Sequence, residues 1–476
     1  MDEMHFQWHG SFYKLKANNS HKTLISIVKS NIQLCFTSGQ IHFKGAPHMT
    51  YSFTPNRLLA LLLSTAALTP AVYAQSNVQI YGLLAPMMDH ISVSGARSNA
   101  PGKGTDMLTS SVYTGVGNGS TTRMQSSTSH FGFRGTEDLG GGLKTIFQME
   151  TGIQLATGEL TGGSARYLNR NSRVGLSGKF GTVFAGIWDT PMAWSHIAMT
   201  NGVRNPYAGE SSVTFVTPGF NLPHSVTMAG RTKGPADAVF NRRLGNTVQY
   251  WSPSFSGFSF RFAYGIPESN TYAANGAKIK PTMLGLGTEY ATGPFTARYV
   301  YQQHKDYFGL AWLGGNVAAN PDLAGTLVSG SKDDAHRLIL RYKVTPTWTG
   351  TLTYDRLSYR TDGVASGSVK AYRRDSITAL ANYRQGAHSA WGHVGVANKG
   401  SCSISGNGQC STSGLGAQSY GVGYAYFLSR RSDVFVSFTR VRNDSNAQYG
   451  AFPRSGAGIA PGSSQNILTV GMEHSF

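Results

Sequence analysis

The sequence predicts an all-β fold, a 16-stranded antiparallel transmembrane β-barrel with a long inward-folded constriction loop. Polar and apolar residues alternate with a period of two beyond residue 75, in segments of roughly ten residues. Short and long connections alternate between these segments, and an export signal precedes them. An even number of strands, with short turns at one end and long loops at the other, is typical of outer-membrane barrels.

The strand assignment depends on which residues share a face. Phe258, Phe260 and Phe262 lie on one face of a segment whose other face carries Ser259 and Arg261. The predicted strands span residues 77–93, 123–136, 142–153, 169–178, 181–188, 244–252, 256–266, 282–291, 293–305, 334–345, 347–359, 373–384, 387–398, 417–428, 432–442 and 465–476. A soluble sandwich shows the same alternation, but so long an uninterrupted series, with an export signal and a terminal Phe476, favours the barrel.

Composition excludes several other classes of protein. Charged residues make up 13% of the 476, about half the ~25% usual for soluble domains, which argues against an ordinary cytosolic enzyme. The compact aliphatic run Leu58 to Leu63 is far shorter than the roughly 20 residues that a spanning helix needs. Three cysteines exclude a disulfide scaffold, and 24 Phe with 23 Tyr argue against intrinsic disorder.

The first 74 residues are predicted not to belong to the barrel. Arg57 precedes an apolar stretch that ends in small residues, with Val72 and Ala74 at the positions that a signal peptidase reads. We therefore interpret 49–74 as a signal peptide, in preference to a buried helix, and 75–476 as the barrel. Residues 1–48 lie upstream of any signal and are interpreted as an extension from a wrongly assigned start codon.

Arginines are predicted to face the interior of the barrel. An arginine that faces lipid near the bilayer centre costs about 2 to 4 kcal/mol. Each predicted interior arginine is out of phase with its apolar neighbours, and the set comprises Arg134, Arg261, Arg298, Arg337, Arg341 and Arg384. Arg173 joins them if Val174 faces lipid, whereas Arg170 has the opposite phase and needs a bulge or a loop position. Sixteen strands leave an aqueous channel, so this interior is expected to be polar and basic.

The stretch 189–241 is predicted to fold into the barrel and narrow it. Five prolines interrupt it, and its aromatic residues make it too apolar for a solvated surface loop, so an inward position is favoured over an external one. Asp189 and Glu210 are the acids that we place on this loop, opposite the basic wall.

Several longer motifs carry a family resemblance. They are VQIYG at 78–82, HFGFRGTEDLGGGLK at 130–144, FQME at 147–150, RNSRVGL at 170–176, GTV at 181–183, VQYWSPSFSGF at 248–258 and GMEHSF at 471–476. Together they resemble the general diffusion porins of β-proteobacteria, the Gram-negative porin family of the Burkholderia, Bordetella and Neisseria type. The resemblance covers essentially all of 75–476.

The resemblance implies a homotrimer in the cell outer membrane that allows passive diffusion of small hydrophilic solutes. It implies contact with outer-membrane lipid and lipopolysaccharide, and recognition of the terminal Phe476 by the outer-membrane barrel assembly machinery. It implies neither a cofactor, nor a metal, nor a catalytic residue. Where the family commonly has Arg, Asp and a Gly-Arg-Gln run, this chain has His130, Ala85 and Gly186-Ile187-Trp188. These differences predict a thinner cationic constriction, more apolar around Trp188 and Trp194.

Some residues have two readings on sequence alone. Arg134 and Glu150 either line the pore and set its ion selectivity or form a structural ion pair on the barrel wall. Cys402 and Cys410 are expected to form a loop disulfide in an oxidising compartment, in preference to free thiols or a metal site. The glycine-rich stretch 115–119 follows no buried strand and precedes no helix, which favours a surface loop over a nucleotide site.

The predicted function is an outer-membrane porin, not an enzyme, with a modest preference for anions. A cationic interior accounts for the net charge of +18 better than nucleic-acid binding does, because the chain is exported. The alternative within the same class is a substrate-selective channel with a solute-binding constriction. A barrel hydrolase is the alternative from another class, but spacing alone places no Ser, His and Asp together.

Overall fold

In the computed structural model the chain forms two compact units, Met1–Tyr73 and Ala74–Phe476. The structure describes the backbone of the strands between residues 3 and 52, and then residues 77–96, 119–126, 128–160, 167–197, 214–220, 238–266, 280–310, 330–363, 366–450 and 460–476. The predicted signal peptide, apart from Tyr51–Ser52, lies outside the described residues.

The first unit contains an antiparallel sheet whose strands pair in chain order. Its strands are Glu3–Trp8, Ser11–Asn18, Lys22–Ile27, Ile32–Thr37, Gln40–Lys44 and Tyr51–Ser52. No regular structure was expected for residues 1–48, so this sheet is an unpredicted feature.

The second unit is a closed barrel of sixteen antiparallel strands, as predicted. The strands are β1 (Asn77–Leu84 and Met87–Ser94), β2 (Gly119–Gln125 and His130–Gly140), β3 (Leu143–Gly152), β4 (Ser172–Gly178), β5 (Gly181–Asp189), β6 (Arg243–Trp251), β7 (Phe258–Gly265), β8 (Thr282–Thr292), β9 (Phe295–Lys305), β10 (Ser331–Lys343), β11 (Trp348–Thr361), β12 (Val369–Gln385), β13 (His388–Ala397 and Ser401–Ile404), β14 (Ala417–Phe427), β15 (Ser432–Asn443) and β16 (Ser464–Ser475). Each pairs with the next in the chain, and β16 pairs with β1. Every described strand edge of the ring is therefore satisfied, as a bilayer requires.

The ends of the chain complete the closure. The Phe476 N–H donates to the Gly82 carbonyl, and the Gly82 N–H donates to the Phe476 carbonyl, both at 3.1 Å. A Cβ atom at Gly82 would collide with the Phe476 ring, so the aromatic terminus fits only because residue 82 is glycine. Pro86 interrupts β1, since proline has no N–H to give to the ladder.

Some strand ends differ from the prediction. Segments 119–122 and 401–404 are strand rather than loop, and β10 and β12 begin at Ser331 and Val369, earlier than expected. These extensions contain mainly Ser, Thr and charged residues. Their outward positions are not apolar, so the alternation that reveals the other strands is missing there.

Short and long connections lie at opposite ends of the barrel. The β2–β3 turn uses Gly140, Gly141 and Gly142, all with φ between 60° and 85°, a conformation that residues with a Cβ rarely adopt. The connection from β5 to β6 is the long one, and it contains helix α1 (Pro191–Ile197) and a short 3₁₀ turn, Thr214–Val216. No helix among the described residues is long and apolar enough to cross a membrane.

Candidate functional site: the inner wall of the barrel

The predicted interior arginines lie on the face opposite the exposed apolar side chains. On β7, exposed Phe260 and Phe262 alternate with Arg261 and the fully buried Ala263. On the other strands, too, the arginines alternate with outward-facing residues and therefore lie on the inner face of the barrel. The arginines of this inner face include Arg134, Arg173, Arg261, Arg298, Arg337 and Arg341.

Three of these arginines stack on three tryptophans. In order of contact, the stack runs through Trp188, Arg173, Trp251, Arg261, Trp194 and Arg298. Each guanidinium carbon lies 4.0 to 4.7 Å from the ring centres of its tryptophan neighbours. These distances are those of cation–π contacts. We call this set the arginine–tryptophan stack.

Each member of the arginine–tryptophan stack lies on a different element: five on strands β4, β5, β6, β7 and β9, and Trp194 on α1. A bulge at Gly186, where φ is 149°, shifts the β5–β6 register so that Trp188 lies opposite Leu244. A Cβ atom at Gly186 would collide with the carbonyl of the neighbouring strand, so glycine permits this path. On β8, a Cβ atom at Gly287 would lie 3.0 Å from the Trp194 ring, and its absence leaves room for that ring.

Two members of the stack are not paired with acids. Arg173 and Arg261 form no ion pair with any described residue, and Arg173 Nε and Nη1 are buried without a hydrogen-bond acceptor. Arg298 differs, because Glu289 accepts from its Nε at 2.9 Å. On β10, Arg337 donates to both carboxylate oxygens of Asp355 at 2.6 and 3.0 Å. The inner wall therefore contains both neutralised and unneutralised arginines.

The inward fold of the long β5–β6 loop is visible in α1. The Met192 N–H donates to Gln302 Oε1 at 3.3 Å, and Pro191 packs on Gly285 of β8. The Ser195 carbonyl accepts from Arg298 at 2.7 Å, and its hydroxyl accepts from Arg337 at 3.3 Å. The helix is thus fastened to inward-facing side chains of β8 to β10.

Two further parts of the loop pack on the inner wall. Phe215 lies edge to face with Tyr449, 5.3 Å between ring centres, and its carbonyl accepts a hydrogen bond from the buried Arg374 of β12. Phe240 stacks on His304 of β9 at 4.5 Å. The described parts of the loop therefore occupy the interior beside β8 to β15.

Glu150 belongs to a second cluster, on β1 to β4. Tyr81 donates to Glu150 at 2.9 Å, and Arg170 Nε donates to it at 2.5 Å. Of the two readings of Arg134 and Glu150, the direct ion pair is not formed: Arg134 lies opposite Gln148 and donates to Gln79 at 2.9 Å. Arg170 precedes β4, the loop position that its phase required.

The acids expected on the constriction loop need one correction. Asp189 is the last residue of β5, not part of the loop, and it is buried. Arg243 of the neighbouring strand lies 3.2 Å from its carboxylate, and Asn171 donates to it at 2.7 Å. Asp189 continues β5 by one residue beyond the predicted end. The prediction ended the strand at Trp188 because the apolar residues that defined it end there. Glu210 lies outside the described residues.

Other predicted residues are placed as follows. His130 Nε2 lies 3.9 Å from the Glu150 carboxylate. Cys402 and Cys410 are joined by a disulfide. Arg341 lies on the inner face of β10, where its Nε is buried. No group of three or more potential metal ligands exists among the described residues.

Trp251 was not among the predicted residues of the site. Its phase gives the signal that could have found it, because Val248 faces outward while Gln249 is buried and Trp251 follows Gln249 by two. The expected apolar surroundings of Trp188 are likewise only partly correct. Trp188 contacts Phe184 and Trp251, but it also covers the cationic Arg173.

Comparisons with known proteins agree with this architecture. The sequence model of the family described as Gram-negative porin matches residues 59–446. The chain is 24% identical over 422 residues to outer membrane porin protein 32 of Delftia acidovorans, covering 87% of this chain and 99% of that one. It is 25% identical over 449 residues to major outer membrane protein P.IA of Neisseria meningitidis serogroup C, covering 88% and 99%.

Solved structures show the same fold. An anion-selective porin from Comamonas acidovorans aligns with a TM-score of 0.58 at 20% identity, covering 84% of this chain and all of that one. The trimer form of OmpT from Vibrio cholerae aligns with a TM-score of 0.52 at 14% identity, covering 84% and 99%. The relatives are outer-membrane channels, not enzymes. With sixteen strands, an inward loop and a family match over most of its length, this chain belongs to the Gram-negative porin family.

Proposed function

We propose that the chain forms a homotrimeric outer-membrane channel with a modest preference for anions over cations. The arginine–tryptophan stack is the observation that carries this proposal. Small hydrophilic solutes diffuse passively through the water-filled interior, and the 189–241 loop limits their size. Fixed charges on the wall select among ions.

Stacking holds an arginine in place without cancelling its charge. A carboxylate partner fixes a guanidinium and also neutralises it, as Asp355 does for Arg337. An indole ring attracts the cation through its quadrupole but contributes no net charge. Arg173 and Arg261 therefore keep a positive field in the lumen. That field raises the local anion concentration within about 8 Å at physiological ionic strength.

The remaining assignments extend the proposal to the whole chain. Residues 49–74 act as the signal peptide. The solved OmpT trimer, although a distant relative, supports a homotrimer. Phe476, which completes the barrel at Gly82, is the signal that the barrel assembly machinery reads. Outer-membrane lipid and lipopolysaccharide surround the barrel, and the pore-lining residues include His130, Arg134, Glu150, Arg173 and Arg261.

Planar bilayer recording tests the proposal. The full chain is expressed, purified from outer membranes and inserted into a bilayer under a potassium chloride gradient. We expect current in three equal steps and a reversal potential of the sign for chloride. The selectivity should weaken in 1 M salt, where the Debye length falls to about 3 Å.

Two outcomes contradict parts of the proposal. Folded protein that carries no current contradicts an open channel, and a reversal potential of zero contradicts the anion preference. Current that saturates with one solute would instead favour the substrate-selective alternative. Single steps without multiples of three would contradict the trimer.

A further inference from the structure

The outward face of β9 to β12 changes character toward the long-loop end of the barrel. Cross-strand pairing places its outward residues in rows that run across the four strands. The first row contains Tyr299, Leu338, Tyr354 and Ile377, the second Tyr301, His336, Arg356 and Asp375, the third Gln303, Asp334, Ser358 and Arg373, and the last Lys305, Lys332, Arg360 and Ala371. The face thus passes from an apolar and aromatic belt to a row in which three of the four residues are cations and none is an acid.

The last row, which we call the cationic row, brings like charges side by side. Lys305 lies directly opposite Lys332, and Lys332 lies directly opposite Arg360. Directly opposed residues have Cβ atoms about 4.5 to 5.5 Å apart, and like charges in such pairs are destabilising. The arrangement therefore costs free energy, which a group of opposite charge bound beside it would offset.

Neighbouring acids do not supply enough negative charge. Lys332 Nζ lies 3.8 Å from Asp334, and Arg360 Nε lies 3.9 Å from Asp362, both long contacts between exposed or partly exposed groups. Asp375 is engaged by Arg356, whose Nε and Nη2 donate to it at 2.7 and 3.1 Å.

The charges of these rows therefore do not balance. Lys305 forms no ion pair with any described residue, and the side chain of Arg373 is exposed one row below it. Five cations, Lys305, Lys332, Arg356, Arg360 and Arg373, stand against two acids in these rows, Asp334 and Asp375, and a third acid, Asp362, beside the last row.

We propose that the cationic row binds the phosphate groups of lipopolysaccharide in the outer leaflet. The inference rests on the proposal that this lipid surrounds the barrel, and it identifies the residues that the lipid contacts. Long loops mark the outer end of a barrel. The cationic row lies there on the lipid side, above tyrosines at the level where interfacial aromatics lie. Acyl chains on the Leu338 and Ile377 belt bring a phosphate to this height, and the phosphate neutralises the opposed cations.

Binding of fluorescent lipid A tests the site. The protein, purified from outer membranes after expression of the full chain and stripped of lipid in non-ionic detergent, is titrated with bisphosphorylated lipid A while anisotropy is measured. Each Lys or Arg near an anionic lipid surface is worth about fourfold to fivefold in affinity. We expect Lys305→Ser, Lys332→Ser and Arg360→Ser together to weaken binding by roughly 60-fold to 125-fold.

A matched variant removes the same charge from the other end of the barrel. Lys144→Ser, Lys179→Ser and Lys343→Ser change three exposed lysines near the short turns, and should leave affinity within about twofold. Lys305→Arg, Lys332→Arg and Arg360→Lys keep the charge and should retain binding. Resistance of the folded barrel to unfolding in sodium dodecyl sulfate confirms that each variant is intact.

The outcomes separate the possible occupants. Equal weakening in both serine variants, or none in either, overturns the proposal. Unchanged binding of dephosphorylated lipid A overturns it as well, because phosphate recognition is then not involved. Competition by inorganic phosphate at millimolar concentration would indicate a free-anion site instead. Loss of the trimer with lipid binding unchanged would make this face an interface between copies.

Discussion

Two parts of the inner wall hold arginines in opposite ways. On β4 to β7, Arg173 and Arg261 are held by tryptophan rings and keep their charge. On β10, Arg337 is fully buried and forms two hydrogen bonds with Asp355. Under the proposed function, arginine side chains attract anions in the first part, whereas in the second part an arginine contributes to packing. The difference shows that the number of interior arginines is a poor measure of the charge that an ion meets.

The largest expected effect is on stability, at Arg337. Arg337→Ala leaves the Asp355 carboxylate buried without its partner, which costs about 3 to 5 kcal/mol when a buried pair is broken. We expect a lower urea midpoint for unfolding of the barrel and little change in reversal potential. Replacing both Arg337 and Asp355 with leucine should recover most of the loss. A large shift in selectivity without a loss of stability would contradict the division between the two parts.

The next effect is on selectivity, at Arg261. Arg261→Gln removes one unneutralised charge, and a charge 6 Å away in water is worth about 0.7 kcal/mol, or roughly threefold in local anion concentration. The ratio of anion to cation permeability should fall by a similar factor, measured as reversal potential in dilute salt. The charge-conserving Arg261→Lys should retain most of it. If Arg337→Gln lowered selectivity as much as Arg261→Gln, the comparison would fail.

The tryptophans are expected to act only through the arginines. Trp251→Leu removes the ring shared by Arg173 and Arg261, a contribution of about 0.5 to 2 kcal/mol to each position. Selectivity should fall by less than in Arg261→Gln, and Trp251→Phe should restore part of it. Trp348 on the outer face provides the control, since Trp348→Leu should leave reversal potential unchanged. Equal effects of the two leucine variants would show that Trp251 has no special role in placing the guanidinium groups.

Alternation and the cost of charge in lipid were sufficient to predict the barrel from sequence. All sixteen strands and the inward phase of Arg261 and Arg337 follow from them. The ion-pair partners of individual side chains could not be predicted in this way. Glu150 accepts a hydrogen bond from Arg170, which lies in a connection where the sequence has no periodic pattern. Asp189 pairs with Arg243, which follows it only after the long β5–β6 loop. Trp251 could have been identified from its phase, but the position of Trp188 depends on a register that a bulge alters.

The smallest effect on stability is expected at an ion pair on the outer face, which has the same two-hydrogen-bond geometry as the pair of Arg337 and Asp355. Arg356 donates to both oxygens of Asp375 at 2.7 and 3.1 Å, but 43% of the Arg356 side chain and 30% of the Asp375 side chain are exposed. Exposed pairs contribute about 0 to 1 kcal/mol. Arg356→Ala should therefore shift the urea midpoint in detergent far less than Arg337→Ala. Equal shifts would mean that hydrogen-bond geometry, not burial, sets the cost of breaking these pairs.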